Sequence, residues 1–209
     1  MKQIKILKQE TNKSCGVACL RSMLNYYGND YSEKDVWGKH KSFGEGENIQ
    51  NPILSLGLTA LKFGFNVKYV GYNPIISNNN SIPLDLKESL IIKSKNYVSF
   101  GKFYVDTALD FLKLGGEIII EKLNVEKLKK IIDKDKFFLV EIKPASIDKS
   151  SSLSMNHKVI VVGYNQKGFK VLNPSNCEEW LWTFDDFLLA FYSAVPEILI
   201  IKPKLKNKK

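Results

Sequence analysis

The chain has 209 residues, of which 44% are hydrophobic, and carries a formal net charge of +9 at pH 7. This size suits one domain with a full apolar core, and no apolar run reaches about eighteen residues, so we expect no transmembrane segment. The N-terminus lacks the apolar stretch of a signal peptide, and three cysteines favour a reducing compartment over a disulfide scaffold. We therefore expect a cytoplasmic protein.

The basic charge is concentrated at the C-terminus, where five lysines lie in the last eight residues. Residues 202–209 are predicted to form a disordered tail, which can contact anionic surfaces, after a single folded domain spanning 1–201. Arg21 is the one arginine in the chain. Since direct base recognition depends heavily on arginine, we expect no specific nucleic-acid binding.

Hydrophobic periodicity predicts mainly helices early in the chain and mainly strands late in it. Helices are predicted at 15–27, 51–63, 104–114, 124–133 and 184–191. Strands are predicted at 67–71, 117–121, 137–143, 158–163, 169–173 and 197–201, and Trp180 and Trp182 fall on one face of a further short strand. This order predicts an α+β fold, with an N-terminal helical half packed on a C-terminal antiparallel sheet.

The first candidate functional residue is Cys15, which begins the first predicted helix directly after Ser14, a possible N-cap. The unpaired N–H groups and the dipole of a helix N-terminus favour a thiolate, which is the nucleophilic form of cysteine. Acyl transfer also needs donors for the developing oxyanion. The backbone N–H of Cys15 and the side chain of Gln9, six residues earlier, can supply them if the intervening loop folds back.

His157 and Asn173 are the candidate base and the residue that orients it. His157 precedes an apolar strand, and a short turn leads into a second strand that ends at Asn173 and Pro174. A hairpin brings the start of its first strand beside the end of its second, so Asn173 is predicted to lie next to His157. The asparagine carbonyl can then accept a hydrogen bond from one imidazole nitrogen and leave the other facing the thiol.

The remaining histidine and cysteines are given structural interpretations. We expect His40 to be a solvated loop residue, Cys19 to face the core and Cys177 to lie in a polar turn. A zinc site built from the three cysteines and His157 is possible by residue type, but the Cys-x3-Cys spacing does not fit a zinc knuckle. We therefore expect no metal and no cofactor.

The motifs around Gln9, Cys15-Gly16, His157 and Asn173-Pro174 resemble those of the C39 and C39-like cysteine peptidases of the papain-like superfamily. The resemblance extends over most of 1–201 and implies a papain-like cysteine protease fold. It also implies roles for Cys15 as nucleophile, His157 as base, Asn173 as the third member and Gln9 in the oxyanion hole. The family usually has aspartate where this chain has Asn173, although papain-like enzymes elsewhere use asparagine.

We therefore expect a cysteine peptidase or amidase that cleaves a peptide or amide substrate through a Cys-His-Asn triad and a thioester. Two alternatives share the same cleft. An acyl-transfer enzyme would pass the acyl group to an amine, as in transpeptidation, and a peptide-binding module with weak catalysis would retain the substrate without turnover.

Overall fold

The structure is a computed structural model that describes residues 3–77, 85–147 and 156–204. The helices in these ranges are α1 (Cys15–Tyr26), α2 (Glu33–Lys39), α3 (Ile53–Lys62), α4 (Leu86–Asn96), α5 (Ser99–Lys113), α6 (Val125–Asp135) and α7 (Phe184–Ser193). The strands are β1 (Phe65–Gly71), β2 (Glu117–Ile120), β3 (Phe138–Ile142), β4 (His157–Tyr164), β5 (Gly168–Asn173), β6 (Glu178–Thr183) and β7 (Glu197–Pro203). No helix of these ranges is both long and apolar enough to cross a membrane.

All seven strands form one sheet in the order β2-β1-β7-β3-β4-β5-β6. The neighbouring pairs are antiparallel, as predicted, with the exception of β1 and β2, which run parallel. The last strand of the chain, β7, lies between β1 and β3 and so joins the strands of the two halves. The sheet is therefore not confined to the C-terminal half, because β1 belongs to the helical one.

Helices cover both faces of the sheet. On one face α1 packs on β4, while α3 packs on β1 and β7, and α5 packs on α3. On the other face α6 contacts β3 and β4, and α7 contacts β3, β5 and β6. Each face has its own apolar core, since successive side chains of a strand point to opposite sides. The helical half predicted from the sequence thus covers one face, and the late helices cover the other.

Most predicted elements are present, with shifted ends. Two helices, α2 and α4, were not predicted. The first is short and begins with a capping box between Ser32 and Asp35, a sequence signal that marks a helix start. The second buries only Ser89 and Leu90, so its sequence lacks a clear apolar stripe. The fifth helix begins at Ser99, five residues before the predicted start.

The end of the sheet differs from the prediction. Strand β7 continues to Pro203, two residues beyond the predicted strand end, and Lys202 forms an ion pair with Asp135. The first two residues of the predicted tail therefore belong to the sheet. From residue 205 onward, the predicted tail lies outside the described residues.

Candidate active site

Cys15 is the first residue of α1, and this helix packs against β4. The cysteine is partly exposed, whereas the next five residues are buried. A Cβ atom on Gly16 would lie 2.6 Å from Cδ of Lys158 and 2.7 Å from Cδ1 of Leu56. Glycine at this position therefore allows the first turn of α1 to approach β4 closely.

The loop before α1 folds back, as the sequence interpretation required. The backbone N–H of Ser14 donates to the carbonyl of Thr11, and the Ser14 hydroxyl both donates to that carbonyl and accepts from the Thr11 N–H. Ser14 occupies the N-cap position, but its hydroxyl makes no capping hydrogen bond to α1. The predicted N-cap position is therefore confirmed, but the capping hydrogen bond is absent. The hydroxyl stabilises the turn instead, and no side chain in the described residues caps the N–H groups that begin α1.

The β4–β5 hairpin brings His157 and Asn173 together. Both side chains are buried, and Nε2–H of His157 donates to Oδ1 of Asn173 over 2.7 Å. The same Oδ1 atom accepts from the backbone N–H of Ser175 at 3.0 Å and from its hydroxyl at 2.9 Å. Because Nε2 is used as the donor to Asn173, Nδ1 is the nitrogen left for the cysteine.

The environment of Cys15 favours its thiolate. Burial by itself raises the pKa of the thiol, but a hydrogen bond with the His157 side chain, the charge of Lys158 and a hydrogen bond with the Lys158 backbone lower it. The net result is a pKa below the ordinary value. His157 thus lowers the pKa of the Cys15 thiol, and the same imidazole donates to Oδ1 of Asn173.

Lys158 and Glu141 form a charged pair beside this site that the sequence analysis missed. The two residues are direct partners across β3 and β4, and Nζ of Lys158 lies 3.2 Å from Oε2 of Glu141. Burial alone lowers the pKa of Lys158, but the charge of Glu141, followed by that of Cys15, raises it above its ordinary value. Lys158 therefore stays positively charged near the thiol. The available sequence signal was a charged residue at the end of each of two apolar strands.

Gln9 lies close to the His157–Asn173 pair through its backbone. The N–H of Gln9 donates to the carbonyl of Pro174 over 2.9 Å, so the N-terminal segment crosses the end of β5. Its side-chain Nε2 donates to the carbonyl of Thr11 over 2.9 Å, while its buried Oε1 has no hydrogen-bond partner among the described residues. The backbone of Gln9 is thus near the candidate site, and one of its two amide hydrogens is engaged within its own loop.

A cavity of about 710 Å³ extends from Cys15 across the ends of the central strands. Lys13 and Cys15 line one part of it, and Tyr104 and Glu197 line another. Its lining includes both amide side chains and apolar side chains. The nucleophile candidate therefore opens into a space large enough for several residues of an extended peptide.

His40 is not the solvated loop residue that we expected. It is half-buried, with Nε2 lying 3.0 Å from Oδ1 of Asn51 and Nδ1 lying 3.0 Å from Oγ1 of Thr59. Burial lowers the pKa of His40 to about 4, so the ring is neutral at physiological pH. Asn51 also donates to the carbonyl of Lys13 over 2.9 Å, so His40 supports the loop that precedes Cys15.

The other two cysteines lie where the sequence predicted. Cys19 is fully buried, and its thiol donates to the carbonyl of Lys158 over 3.3 Å. Burial raises the pKa of Cys19 well above its ordinary value. Cys177 is exposed in the turn between β5 and β6. Across the described ranges, no three side chains of histidine, cysteine, aspartate or glutamate come together as a metal-binding set.

The sheet, the helix that begins at Cys15 and the cleft between them define a papain-like architecture. Residues 3–98 match the sequence profile of the Peptidase C39 family, so the resemblance predicted from the motifs is confirmed over this part of the chain. The matched range contains Gln9 and Cys15, while His157 and Asn173 lie beyond it. No curated protein sequence matches the chain.

Three solved structures share the fold. The peptidase domain of Streptococcus ComA, a bi-functional ABC transporter involved in a quorum-sensing pathway, is 13% identical, with a TM-score of 0.53 over 97% of this chain and 100% of that one. A double glycine motif protease from an AMS/PCAT transporter, in complex with its leader peptide, is 14% identical, with a TM-score of 0.50 over 97% and 93% of the two chains.

The third structure is a protein from Bacillus anthracis provisionally assigned as a C39-like peptidase. It is 13% identical, with a TM-score of 0.51 over 98% of this chain and 96% of that one. At such identities the likeness concerns the fold, and it confirms the predicted α+β, papain-like class. The family match and the fold together support a cysteine peptidase.

Proposed function

We propose that the protein is a cysteine peptidase or amidase of the C39-like type, with Cys15 as nucleophile, His157 as base and Asn173 as the residue that orients the base. One feature supports this proposal above the others: the buried His157 donates to Oδ1 of Asn173 and, on its other side, interacts with Cys15 so as to lower the pKa of the thiol. A buried imidazole with one nitrogen fixed by a carbonyl and the other beside a thiol has the geometry required for nucleophilic catalysis.

In the first step the Cys15 thiolate attacks the carbonyl carbon of a peptide or amide bond in the cavity. The imidazolium of His157 then gives its proton to the leaving nitrogen as the carbon–nitrogen bond breaks, which leaves a thioester on Cys15. A water molecule, deprotonated by His157, attacks the thioester and regenerates the thiol. Lys158 assists the first step because its positive charge favours the thiolate that must form.

The oxyanion of each tetrahedral intermediate requires donors near the thiol. The N–H groups at the start of α1 are suited to this, because no side chain in the described residues caps them. Gln9 is the second proposed donor. Its amide nitrogen carries two hydrogens, and the hydrogen bond to Thr11 uses one of them, so the other is available to a bound substrate.

Two broader predictions belong to the same proposal. The catalytic unit is the single domain predicted over 1–201, extended to the end of β7 at Pro203, and the protein acts in the cytoplasm. All three cysteines are free thiols, and this suits a reducing compartment.

The decisive experiment is competitive labelling of the native protein with a limiting amount of iodoacetamide at pH 7, followed by quantification of each alkylated cysteine by peptide mass. If reactivity followed exposure alone, Cys177 would react first, because it is exposed whereas Cys15 is only partly exposed and Cys19 is buried. Activation by His157 and Lys158 predicts instead that Cys15 reacts first. Preferential labelling of Cys177 would contradict the assignment of the nucleophile.

The matched control is His157→Ala, in which the preference for Cys15 over Cys177 should disappear while the protein stays folded by circular dichroism. A second arm incubates wild type and Cys15→Ala with a library of unstructured peptides and identifies new termini by mass spectrometry. Cleavage that depends on Cys15 supports a peptidase. Turnover that persists in Cys15→Ala would assign the hydrolysis to another group or to a contaminant.

A further inference from the structure

Three charged residues lie side by side along the floor of the cavity. Lys158 and Glu141 are direct partners on β4 and β3. The register between β3 and β7 ends at the pair Val140 and Ile198. Glu141 and Glu197 are the next residues on the two strands, and they are close enough for the charge of Glu141 to raise the pKa of Glu197. All three charged side chains line the cavity that opens at Cys15. Across the floor the charged residues therefore follow the order Lys158, Glu141 and Glu197, one from each of three neighbouring strands.

Glu197, at the far end of this row, is held in a fixed position by neutral donors. Its Oε2 atom accepts hydrogen bonds from the hydroxyls of Tyr69 at 2.6 Å and Tyr104 at 2.5 Å, and from Nδ2 of Asn73 at 3.3 Å. The residue is only 2% exposed. Among the described residues, the hydrogen bonds to this carboxyl go to Oε2 and none goes to Oε1. None of the ion pairs between described residues involves Glu197, whereas Glu141 pairs with Lys158.

The charges give the cavity two different ends. Near the nucleophile lie two lysines, Lys13 on the loop before α1 and Lys158 on β4, and this end suits a thiolate and an oxyanion. At the other end Glu197 stands beside Glu141. Adjacent strands are about 4.8 Å apart, so Lys158 and Glu197 are separated by two strand spacings, or about 10 Å. A substrate that lies along the floor would therefore pass from a positive to a negative environment.

We propose that Glu197 forms a subsite for a primary ammonium group of the substrate, either an α-amino group or a lysine side chain, about 10 Å across the cavity floor from Lys158. This inference rests on the proposed function, since it assigns a specificity to the same cleft. The ammonium would donate to Oε1, which accepts from no donor among the described residues, and would place a positive charge beside the two glutamates. Such charge-assisted hydrogen bonds are strong when both partners are withdrawn from water.

The protonation of Glu197 should make the binding of an ammonium group depend on pH, and this dependence is an independent test of the subsite. Burial raises its pKa to about 7, hydrogen bonds from the two tyrosines oppose this, and the charge of Glu141 reinforces it. The charged or titratable groups that face Glu197 are Tyr69, Tyr104, Glu141 and Lys158. The pKa values of both tyrosines and of Lys158 are raised, so these three groups do not change charge between pH 6 and 8. Affinity for an ammonium group should therefore increase through pH 7 as Glu197 loses its proton.

The test uses small alkylating agents, so the natural substrate need not be known. Cys15 is alkylated with N-(5-aminopentyl)-2-chloroacetamide, whose ammonium can reach the far end of the cavity, and with neutral N-hexyl-2-chloroacetamide of matched length. N-(5-carboxypentyl)-2-chloroacetamide supplies the opposite charge, and N-(2-aminoethyl)-2-chloroacetamide is too short to span the floor. Each rate constant is divided by the rate constant of the same reagent with 2-mercaptoethanol, a neutral thiol.

For wild type at pH 8, we expect the long ammonium reagent to be preferred over the neutral reagent by about tenfold or more, the effect of one charge-assisted hydrogen bond. The preference should fall severalfold at pH 6 and should be absent for the short ammonium. Glu197→Gln should abolish it, because the amide retains an acceptor for the tyrosines but has no charge. Glu117→Gln removes an exposed charge on β2, outside the cavity lining, and should leave the preference unchanged.

Equal normalised rates for the ammonium and neutral reagents on wild type would overturn the subsite, as would a preference that survives in Glu197→Gln. A preference for the carboxylate reagent would show that Lys13 and Lys158 dominate the cavity and would also overturn it. If Glu197→Gln does not fold, the length and pH series on wild type still decide the question. Failure of the proposed function would be seen separately, in the iodoacetamide experiment. There Cys177 would react before Cys15.

Discussion

Asn173 offers the most informative perturbation, because it contacts the candidate base without taking part in bond making. Asn173→Ala removes the acceptor of the 2.7 Å hydrogen bond from His157 and also the acceptor of both hydrogen bonds from Ser175. Asn173→Asp retains an oxygen in the same position for all three donors. The two variants therefore separate loss of the orienting acceptor from a change in its charge.

The expected magnitude follows from the buried hydrogen bond to His157, whose ring becomes positively charged during the reaction. Hydrogen bonds to charged groups contribute about 1.5–3 kcal/mol, so Asn173→Ala should lower kcat/KM by about 10- to 100-fold. Activity should remain measurable, because the nucleophile and base are still present. Asn173→Asp should retain at least the wild-type rate, since aspartate accepts the same hydrogen bonds and stabilises imidazolium better. Cys15→Ala and His157→Ala should abolish turnover.

The assay compares kcat/KM of these variants on one peptide that wild type cleaves, after each is shown to be folded. Asn165→Ala is the matched control, because Asn165 makes the same kind of side-chain turn at the other end of the hairpin, accepting from Lys167 and Gly168. It should leave kcat/KM within about twofold of wild type, as a surface change far from the site. Wild-type activity in Asn173→Ala, or an equal loss in Asn165→Ala, would refute the orienting role.

Three further predictions concern residues around Cys15. Lys158→Met combined with Glu141→Met, which leaves no unpaired buried charge, should move the pH dependence of Cys15 alkylation to higher pH; an unchanged curve would remove Lys158 from thiolate activation. Gly16→Ala should lower the free energy of unfolding by about 1–3 kcal/mol in urea titrations, because its Cβ would contact Lys158 at 2.6 Å. Gln9→Ala should reduce kcat by about 100-fold or more with little change in KM, and an unaltered kcat would make it a loop residue only.

The local arrangement of the candidate site was predictable because local rules determine it. A hairpin with a short turn places the start of β4 beside the end of β5, and so the pairing of His157 with Asn173 could be predicted from their positions in two strands. The helix that begins at Cys15 could equally be predicted, from the spacing of its apolar residues. The role of Ser14 was not, since a serine at a helix start can cap the helix or close the preceding turn, and sequence alone does not distinguish the two.

The charged floor of the cavity could not be predicted, because it depends on the order of strands in the sheet. Glu141, Lys158 and Glu197 are far apart in the chain, and each is a single charged residue beside an apolar run. Glu141 and Lys158 become neighbours because β3 pairs with β4, and Glu197 joins them because β7 inserts between β1 and β3. His40 was misjudged for a related reason. Its sequence neighbours are polar, but residues of α3 and the segment before it surround the ring.

The charges around the site also give a physical reason for a neutral residue at Asn173. In the family that the chain resembles, aspartate usually fills this position, and its negative charge stabilises the imidazolium formed with the thiolate. Here Lys158 stabilises the other partner of that ion pair, because its positive charge favours the Cys15 thiolate. Glu141 keeps Lys158 ionised despite burial. In the proposed mechanism the Cys15 thiolate is thus supported by Lys158, and Asn173 need only hold the imidazole ring in position.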